Sequence, residues 1–354
     1  MHYLMNKNIP VIEIESAKIL NPRMIPLALK VDNLNYNKIY NWLVHRALPL
    51  TRKNADKIYR TIGLPRDNSE FELMCITHSL SINDNYWIAD ETELKNLRYE
   101  DINLFTNSLN KSLYLVALRG DTDFTITDKN ISAEYTGQGT YPKCFIRETD
   151  GIYLYKSGPR NEIVNEIYAG FIAQLVGFKS ATYEYSTVDN IECTKSKILT
   201  GINENWENAF ILSEYMYKTY KIIPQEFALH NYNIEYSNMI IFDALILNDD
   251  RHMKNWSFSI NASTNMIIGM AHSYDYNKAF QGNIKSLSNL IFDGSKRMNL
   301  LSAARKAYSE IGTSLNLEYL YSVVDNIDIN INKSALKNRI LYIIGKKSNQ
   351  NDCY

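Results

Sequence analysis

The sequence predicts an α+β fold that is rich in strands through its first half and helical through its last third. Two observations predict it. Short apolar runs broken by glycine, proline and Asx turns recur up to about residue 156, and from Ile163 onward apolar residues return at helical rather than alternating spacing. At 354 residues the chain is long enough to bury large cores and to form two or three lobes.

The elements follow in order. Ile9–Glu15 and Met24–Leu29 read as paired strands around Asn21-Pro22, and Thr51 to Ile62 as a short helix stopped by Gly63 and Pro65. His78 to Ile88 reads as a polar turn leading into an aromatic strand, with Asp84 as a turn Asx. Ile131–Tyr135 reads as a strand, Thr136-Gly137-Gln138-Gly139-Thr140 as a glycine turn, and Cys144–Arg147 as the returning strand. After the turn Glu148-Thr149-Asp150-Gly151, Ile152–Lys156 is a strand that ends on a lysine. A helix opens at Arg160 or Asn161. In it Ile163, Ile167, Phe171 and Leu175 recur every four residues, widened by Val164, Tyr168, Ile172 and Val176, with Glu166 beside the stripe and Glu162 one turn earlier. Further helices are expected at Ile234–Leu247, Leu300–Ile311 and Ala335–Ile344, before a polar tail.

The segment with most chemistry is Asn248-Asp249-Asp250-Arg251-His252-Met253-Lys254-Asn255, followed by Ser273-Tyr274-Asp275. Phosphoryl transfer needs a carboxylate near the acceptor hydroxyl, an amide and a second carboxylate on Mg²⁺, and a cation on the nucleotide phosphates. Asp250 and Asn255 have the Asp-to-Asn spacing of the protein-kinase catalytic loop. The runs Trp256–Ile260 and Met266–Ile268 read as a hairpin that returns Asp275 towards Asn255, so both could share one hard cation. Alone, an Asx-rich segment more often means a turn. The order of flap, lysine strand, glutamate helix and loop shifts that balance.

These motifs resemble the HipA-like serine/threonine protein kinases. The resemblance rests on Asn248-x-Asp250-x-His252-x-x-Asn255, on Tyr274-Asp275 in place of D-F-G, and on Gly137 through Lys143 as a phosphate loop. It implies a two-lobed protein-kinase-like fold with a β-rich N-lobe and a helical C-lobe. On that division residues 1–124 are an N-terminal α/β subdomain of unassigned role, 125–216 the rest of the N-lobe, and 217–354 the C-lobe.

By resemblance Asp250 is the base, Lys254 the cation near the transferred phosphoryl, and His252 a loop-bracing member of the catalytic set. Asn255 and Asp275 are the expected Mg²⁺ ligands. Gly137, Gly139, Lys143, Lys156 and Glu166 are the expected ATP-binding set, together with Glu214 in a hinge at Ile211–Tyr215. Thr136 stands where self-inactivating relatives carry a phosphorylated serine, and no glycine follows Asp275.

The resemblance further implies a protein substrate with a Ser or Thr acceptor, and a toxin paired with a small DNA-binding antitoxin. A nucleotide-binding pseudokinase module and a kinase of lipid or small-molecule hydroxyls are the alternatives. A net charge of −1 gives no global attraction to nucleic acid or anionic membranes. Cys75, Cys144, Cys193 and Cys353 have no metal or redox spacing, and no apolar stretch reaches bilayer length, so a cytoplasmic location is expected.

Overall fold

The structure, a computed structural model, describes residues 1–61, 70–109, 111–121, 132–135, 139–283, 285–288, 298–346 and 353. It divides into two compact units. The first comprises Met1–Gly158, Ser186–Glu207 and Ser259–Ile268, and the second Pro159–Tyr185, Asn208–Phe258 and Gly269–Tyr354. The residues expected to form the later N-lobe, 125–216, are thus shared between both units.

The first unit begins with an antiparallel hairpin, β1 (His2–Asn6) and β2 (Ile9–Glu13), extended by β3 (Lys18–Ile19). α1 (Tyr36–Val44), α2 (Ala55–Thr61) and α3 (Glu70–Ile76) follow, and β4 (Tyr86–Asp90) completes a sheet of order β3-β2-β1-β4. Met24–Leu29 is not the expected strand. Pro22 and Pro26 have no N–H to give a ladder, and Leu27–Leu29 forms a 3-10 turn instead. Asp84 is the turn residue expected: one carboxylate oxygen caps the Tyr86 N–H at 2.8 Å and the other meets Arg46.

Short helices α4 (Glu93–Asn96) and α5 (Tyr99–Ile102) and the longer α6 (Lys111–Arg119) lead to the expected hairpin of β5 (Lys143–Glu148) and β6 (Gly151–Lys156). The strand expected at 131–135 is a second correction. Ala133–Tyr135 is a 3-10 turn, because the buried Glu134 carboxylate accepts the Ser132 hydroxyl at 2.6 Å and the Phe145 N–H at 2.8 Å, bonds that a ladder would break. Ile131 and 136–138, which include Thr136 and Gly137, lie outside the described residues.

The chain enters the second unit as α7 (Arg160–Val176) and returns as the hairpin β7 (Glu184–Val188) and β8 (Ile191–Lys197), giving a sheet of order β5-β6-β8-β7. Alternation along β5 fixes the core of the first unit. Cys144 faces a cluster with Ile58 of α2 and Leu113 and Val116 of α6, while Phe145 faces the opposite cluster with Trp87 and Tyr99.

β9 (Glu204–Asn208) leads into the second unit, whose helices are α8 (Ala209–Tyr220), α9 (Pro224–Asn231) and α10 (Asn233–Leu245). The hairpin β10 (Ser257–Asn261) and β11 (Met266–Met270) appears as expected, in a sheet of order β11-β10-β9. α11 (Leu300–Glu310), α12 (Leu317–Val323) and α13 (Lys333–Ile343) end the chain's helices. Every residue of α10 from Tyr236 to Leu245 is buried, and the helix packs against α9, α11 and α13. A helix covered on all sides is the rigid post of this unit.

Candidate active site

α10 delivers the chain to the loop through Ile246 and Leu247, and Leu247 takes a left-handed φ of 52°. The turn is then tied back to the post: the Asn248 N–H donates to the Asp243 carbonyl at 2.8 Å, and its side-chain amide donates to the Asp243 carboxylate at 2.9 Å. Asp243 carries the larger load of the loop.

Its partner is Arg251, whose side chain is 2% exposed. Two guanidinium nitrogens donate to the Asp243 carboxylate at 3.0 and 3.1 Å. A third donates to the Asn255 carbonyl at 2.6 Å and to the Tyr274 carbonyl at 2.7 Å. Burial opposes the Arg251 cation, Asp243 more than offsets it, and the guanidinium is held above its ordinary value. One buried cation therefore joins the residue expected as one metal ligand to the neighbour of the other. The two arms of the hairpin thus end on main-chain groups that share one donor. The β10–β11 ladder adds to it, with the Ala271 N–H on the Ser257 carbonyl at 2.9 Å and a Ser257–Tyr274 hydroxyl contact at 2.8 Å.

Within the loop, the His252 N–H donates to the Asp250 carbonyl at 2.8 Å, and the Asn255 side-chain nitrogen donates to the same carbonyl at 3.0 Å. That second bond uses the amide nitrogen of Asn255 and leaves its oxygen, the atom a hard cation takes. His252 is exposed, and its Nδ1 accepts the Lys254 N–H at 3.2 Å, which is a loop-bracing contact. Lys254 is also exposed, and its ammonium lies 4.8 Å from the centre of the Phe210 ring.

The Asp250 carboxylate is half-buried. Burial first, then Asp275 and Asp249, push its pKa up, while His252 and Lys278 pull it down. Asp275 itself sits at a φ of 62°, and its N–H donates to the Tyr183 hydroxyl at 3.0 Å. An Asp in the left-handed region costs backbone energy, and here the buried tyrosine and Arg251 on the preceding carbonyl hold it there.

α7 closes the arrangement in a way the sequence only half revealed. Of the expected stripe and the residues widening it, Ile163, Ile172 and Val176 are buried, yet Phe171 is exposed and the buried face also carries Glu162, Glu166, Ala169, Gly170 and Ala173. Small residues do not register as an apolar stripe, but they let a neighbour close in: a Cβ on Gly170 would lie 2.9 Å from the Tyr183 ring. Both glutamates are therefore central to the buried face. The Glu162 carboxylate accepts from the Asn277 amide at 2.6 Å and pairs with Lys278 at 2.5 Å, and the Asn165 amide donates to the Asn277 carbonyl at 3.2 Å. Glu166 is buried and raises the pKa of Tyr183, after burial itself.

Of the remaining expected residues, Gly139, Lys143 and Lys156 belong to the first unit and Glu214 to the second. Lys143 and Lys156 are directly paired across β5 and β6, and so point to one face of the sheet. A Cβ on Gly139, at a φ of 99°, would lie 2.9 Å from the Lys143 ammonium nitrogen. The N-terminal segment, to which no role was given, buttresses this corner. The Lys53 N–H donates to the Thr140 carbonyl at 3.1 Å, and the buried Arg52 guanidinium donates to the carbonyls of Glu134 and Lys143. The hinge expected at Ile211–Tyr215 is a further correction. Those residues lie inside α8, so their main-chain groups belong to the helix, and Glu214 forms an exposed pair with Lys218 at 2.7 Å. The missed signal was Asn208, whose side chain caps the helix on the Ile211 N–H at 3.0 Å.

Among the described residues no group of three or more His, Cys, Asp or Glu could hold a metal. One amide and one carboxylate is nonetheless a sufficient protein share for Mg²⁺, which commonly takes its other ligands from phosphate and water. Burial drives the Cys75 thiol up to about 12 and the Cys193 thiol up to about 11, which makes both poor nucleophiles.

No protein-family model matches the sequence, and no curated protein matches it. Solved structures do. The HipA, HipB and operator DNA complex of the Shewanella oneidensis MR-1 toxin-antitoxin system contains a chain matched with a TM-score of 0.56 and 11% identity, over 99% of this chain and 93% of that one. The chain has a HipA-like fold. A Helicobacter pylori proinflammatory kinase, CtkA, matches with a TM-score of 0.45 and 19% identity, over 59% of this chain and 89% of that one. The HipA-like likeness extends over the N-terminal 124 residues as well as those carrying the motifs.

Proposed function

We propose that the chain is an ATP- and Mg²⁺-dependent serine/threonine protein kinase of HipA-like type. The observation that carries the reading is the Arg251 guanidinium, which binds the carbonyls of Asn255 and Tyr274 at once and so ties together the segments that carry the two candidate metal ligands. Mg²⁺, when bound with ATP, would neutralise charge on the transferring phosphoryl group. Asn255 would hold it through the side-chain oxygen and Asp275 through its carboxylate.

Asp250 would orient the acceptor hydroxyl and take its proton. Burial and the neighbouring Asp275 and Asp249 raise its pKa, which makes it a better base than an ordinary aspartate. Lys156 and Lys143 would supply positive charge to the nucleotide phosphates, with Gly139 allowing close approach of the backbone. Lys254 would swing from Phe210 to the phosphoryl group, and His252 would keep the loop in register.

The S. oneidensis HipA chain was solved with HipB and operator DNA, and this supports a small antitoxin partner for the present chain. No helix among the described residues is long and apolar enough to cross a membrane, which is compatible with a protein acceptor in the cytoplasm.

The deciding experiment is transfer of label from γ-labelled ATP to the chain and to protein acceptors. Asp250→Asn should reduce transfer by at least about a hundredfold, the scale of a lost general base, with little change in Mg·ATP affinity. Lys156→Met should instead raise KM for ATP. Nucleotide binding without transfer in the unsubstituted chain would favour a regulatory pseudokinase, and label confined to lipids or small molecules would move the acceptor class.

A further inference from the structure

A second place in the molecule has the chemistry of a binding site and plays no part in the reading above. It is a cavity of about 590 Å³ within the second unit, walled by the first turns of α7, by residues 330–332 ahead of α13, and by Arg339 on α13. Leu247 and Phe280 form its apolar side, with Val164 and Ile331.

Among the described residues no aspartate or glutamate lines this cavity, whereas two arginines do, Arg160 at the rim and Arg339 inside. Arg339 is 2% exposed, and among the described residues its guanidinium meets only main-chain carbonyls, those of Leu245 and Cys353, each at 2.9 Å. Carbonyl dipoles solvate a cation without neutralising it, and a buried charge is ordinarily paired. Burial accordingly lowers the Arg339 pKa to about 10.

The field of the backbone has the same sign. α7 runs for 17 residues and starts at the cavity with Pro159 as its N-cap, which offers no side-chain cap. Its first amides and the positive end of its dipole thus lie at the rim. α13 starts there too, behind its N-cap Asn332.

We propose that this cavity binds a small organic phosphate, with the phosphate between Arg339, Arg160 and the start of α7, and the organic part against Leu247 and Phe280. The apolar side distinguishes such a ligand from free inorganic phosphate, and the two arginines favour an anion over a cation. Its occupant would bear on the loop and on the metal-motif segment. The Phe280 N–H donates to the Ile246 carbonyl at 2.6 Å, and Asn165, which lines the cavity, holds the Asn277 carbonyl.

The test is calorimetric titration of the full chain with phenyl phosphate, without Mg²⁺, beside benzyl alcohol and benzylammonium as controls. Saturable binding of phenyl phosphate alone is expected. Arg160→Gln, at an exposed position, should weaken it by about tenfold, the scale of one charge-assisted hydrogen bond. Val164→Trp should weaken it by filling the cavity, and Asp275→Ala should leave it unchanged. Absence of saturable binding overturns the inference, as does binding that is lost in Asp275→Ala but kept in Arg160→Gln. The readout needs no catalysis, so a chain that transfers no phosphate yet binds the probe through Arg160 would retain this site and lose the kinase reading.

Discussion

Arg251 shows how much of the candidate site depends on one side chain. Its guanidinium neutralises Asp243 and holds the carbonyls of Asn255 and Tyr274, so removing it leaves a buried carboxylate and frees two segments together. Arg251→Met should therefore cost about 3–5 kcal/mol, the range for breaking a buried pair, as read from the urea midpoint. The double variant Arg251→Met/Asp243→Leu should recover much of that stability, yet transfer should stay lost, because the two carbonyls still lack their bridge. Recovery of transfer along with stability would refute the positioning role. Asp250 makes a second prediction at this scale. Its carboxylate must be ionised to act as base, so activity falls as pH drops through its raised pKa, and the acid limb of kcat/KM should lie above the ordinary 3.8. Asp249 pushes that pKa up, so Asp249→Asn should move the limb to lower pH; a shift in the opposite direction would exclude Asp250 as the titrating group.

At the scale of elements, the segment after Asp275 is held from two sides. Glu162 of α7 grips Asn277 and Lys278, and the following turn lies against the start of the loop, where the Gly282 N–H donates to the Leu247 carbonyl at 3.1 Å. A Cβ on Gly282 would lie 2.2 Å from that carbonyl oxygen, closer than any relaxed contact, so Gly282→Ala must displace the turn from Leu247 and Asp249. Faster amide exchange at 246–250 and a lower kcat with little change in KM for ATP are expected; unaltered exchange would show that the turn does not buttress the loop. Which parts were legible follows from the same geometry. The β5–β6 and β10–β11 hairpins and the helix after Lys156 were readable because turns and periodicity are local. The face of α7 is legible only in part, through Ile163, Ile172 and Val176, because Ala169, Gly170 and Ala173 bury without bulk, and at α8 the cap Asn208 is the one local signal that separates a helix from a hinge. Arg251 stood inside the motif, but only its buried partner eight residues earlier reveals its task, and pairing through space leaves no periodic trace.

For the molecule as a whole, the match to HipA over 99% of the chain at 11% identity means that the fold is specified by burial pattern and a few polar ties, since the side chains themselves differ almost throughout. One such tie lies where the chain leaves the first unit, at Glu207. Its carboxylate accepts the Trp42 indole N–H at 2.9 Å, and burial, reinforced by Asp84 and resisted by Trp42 and Arg46, pushes its pKa up to about 7. The folded chain thus keeps a proton that the unfolded chain releases near the ordinary 4.5, so folding is progressively disfavoured as pH rises from about 4.5 to about 7, and the loss levels off above that. Glu207→Gln keeps an acceptor for Trp42 and cannot titrate. Trp42, Trp87 and Trp206 all lie in the first unit, so urea unfolding followed by tryptophan fluorescence reports chiefly on it. The midpoint of the unsubstituted chain should fall relative to that of Glu207→Gln between pH 5 and pH 7, and the gap should stop widening above about pH 7. A constant difference across that window would show that Glu207 is ionised in the folded chain, and would remove the proton-linked tie at this crossing of the chain.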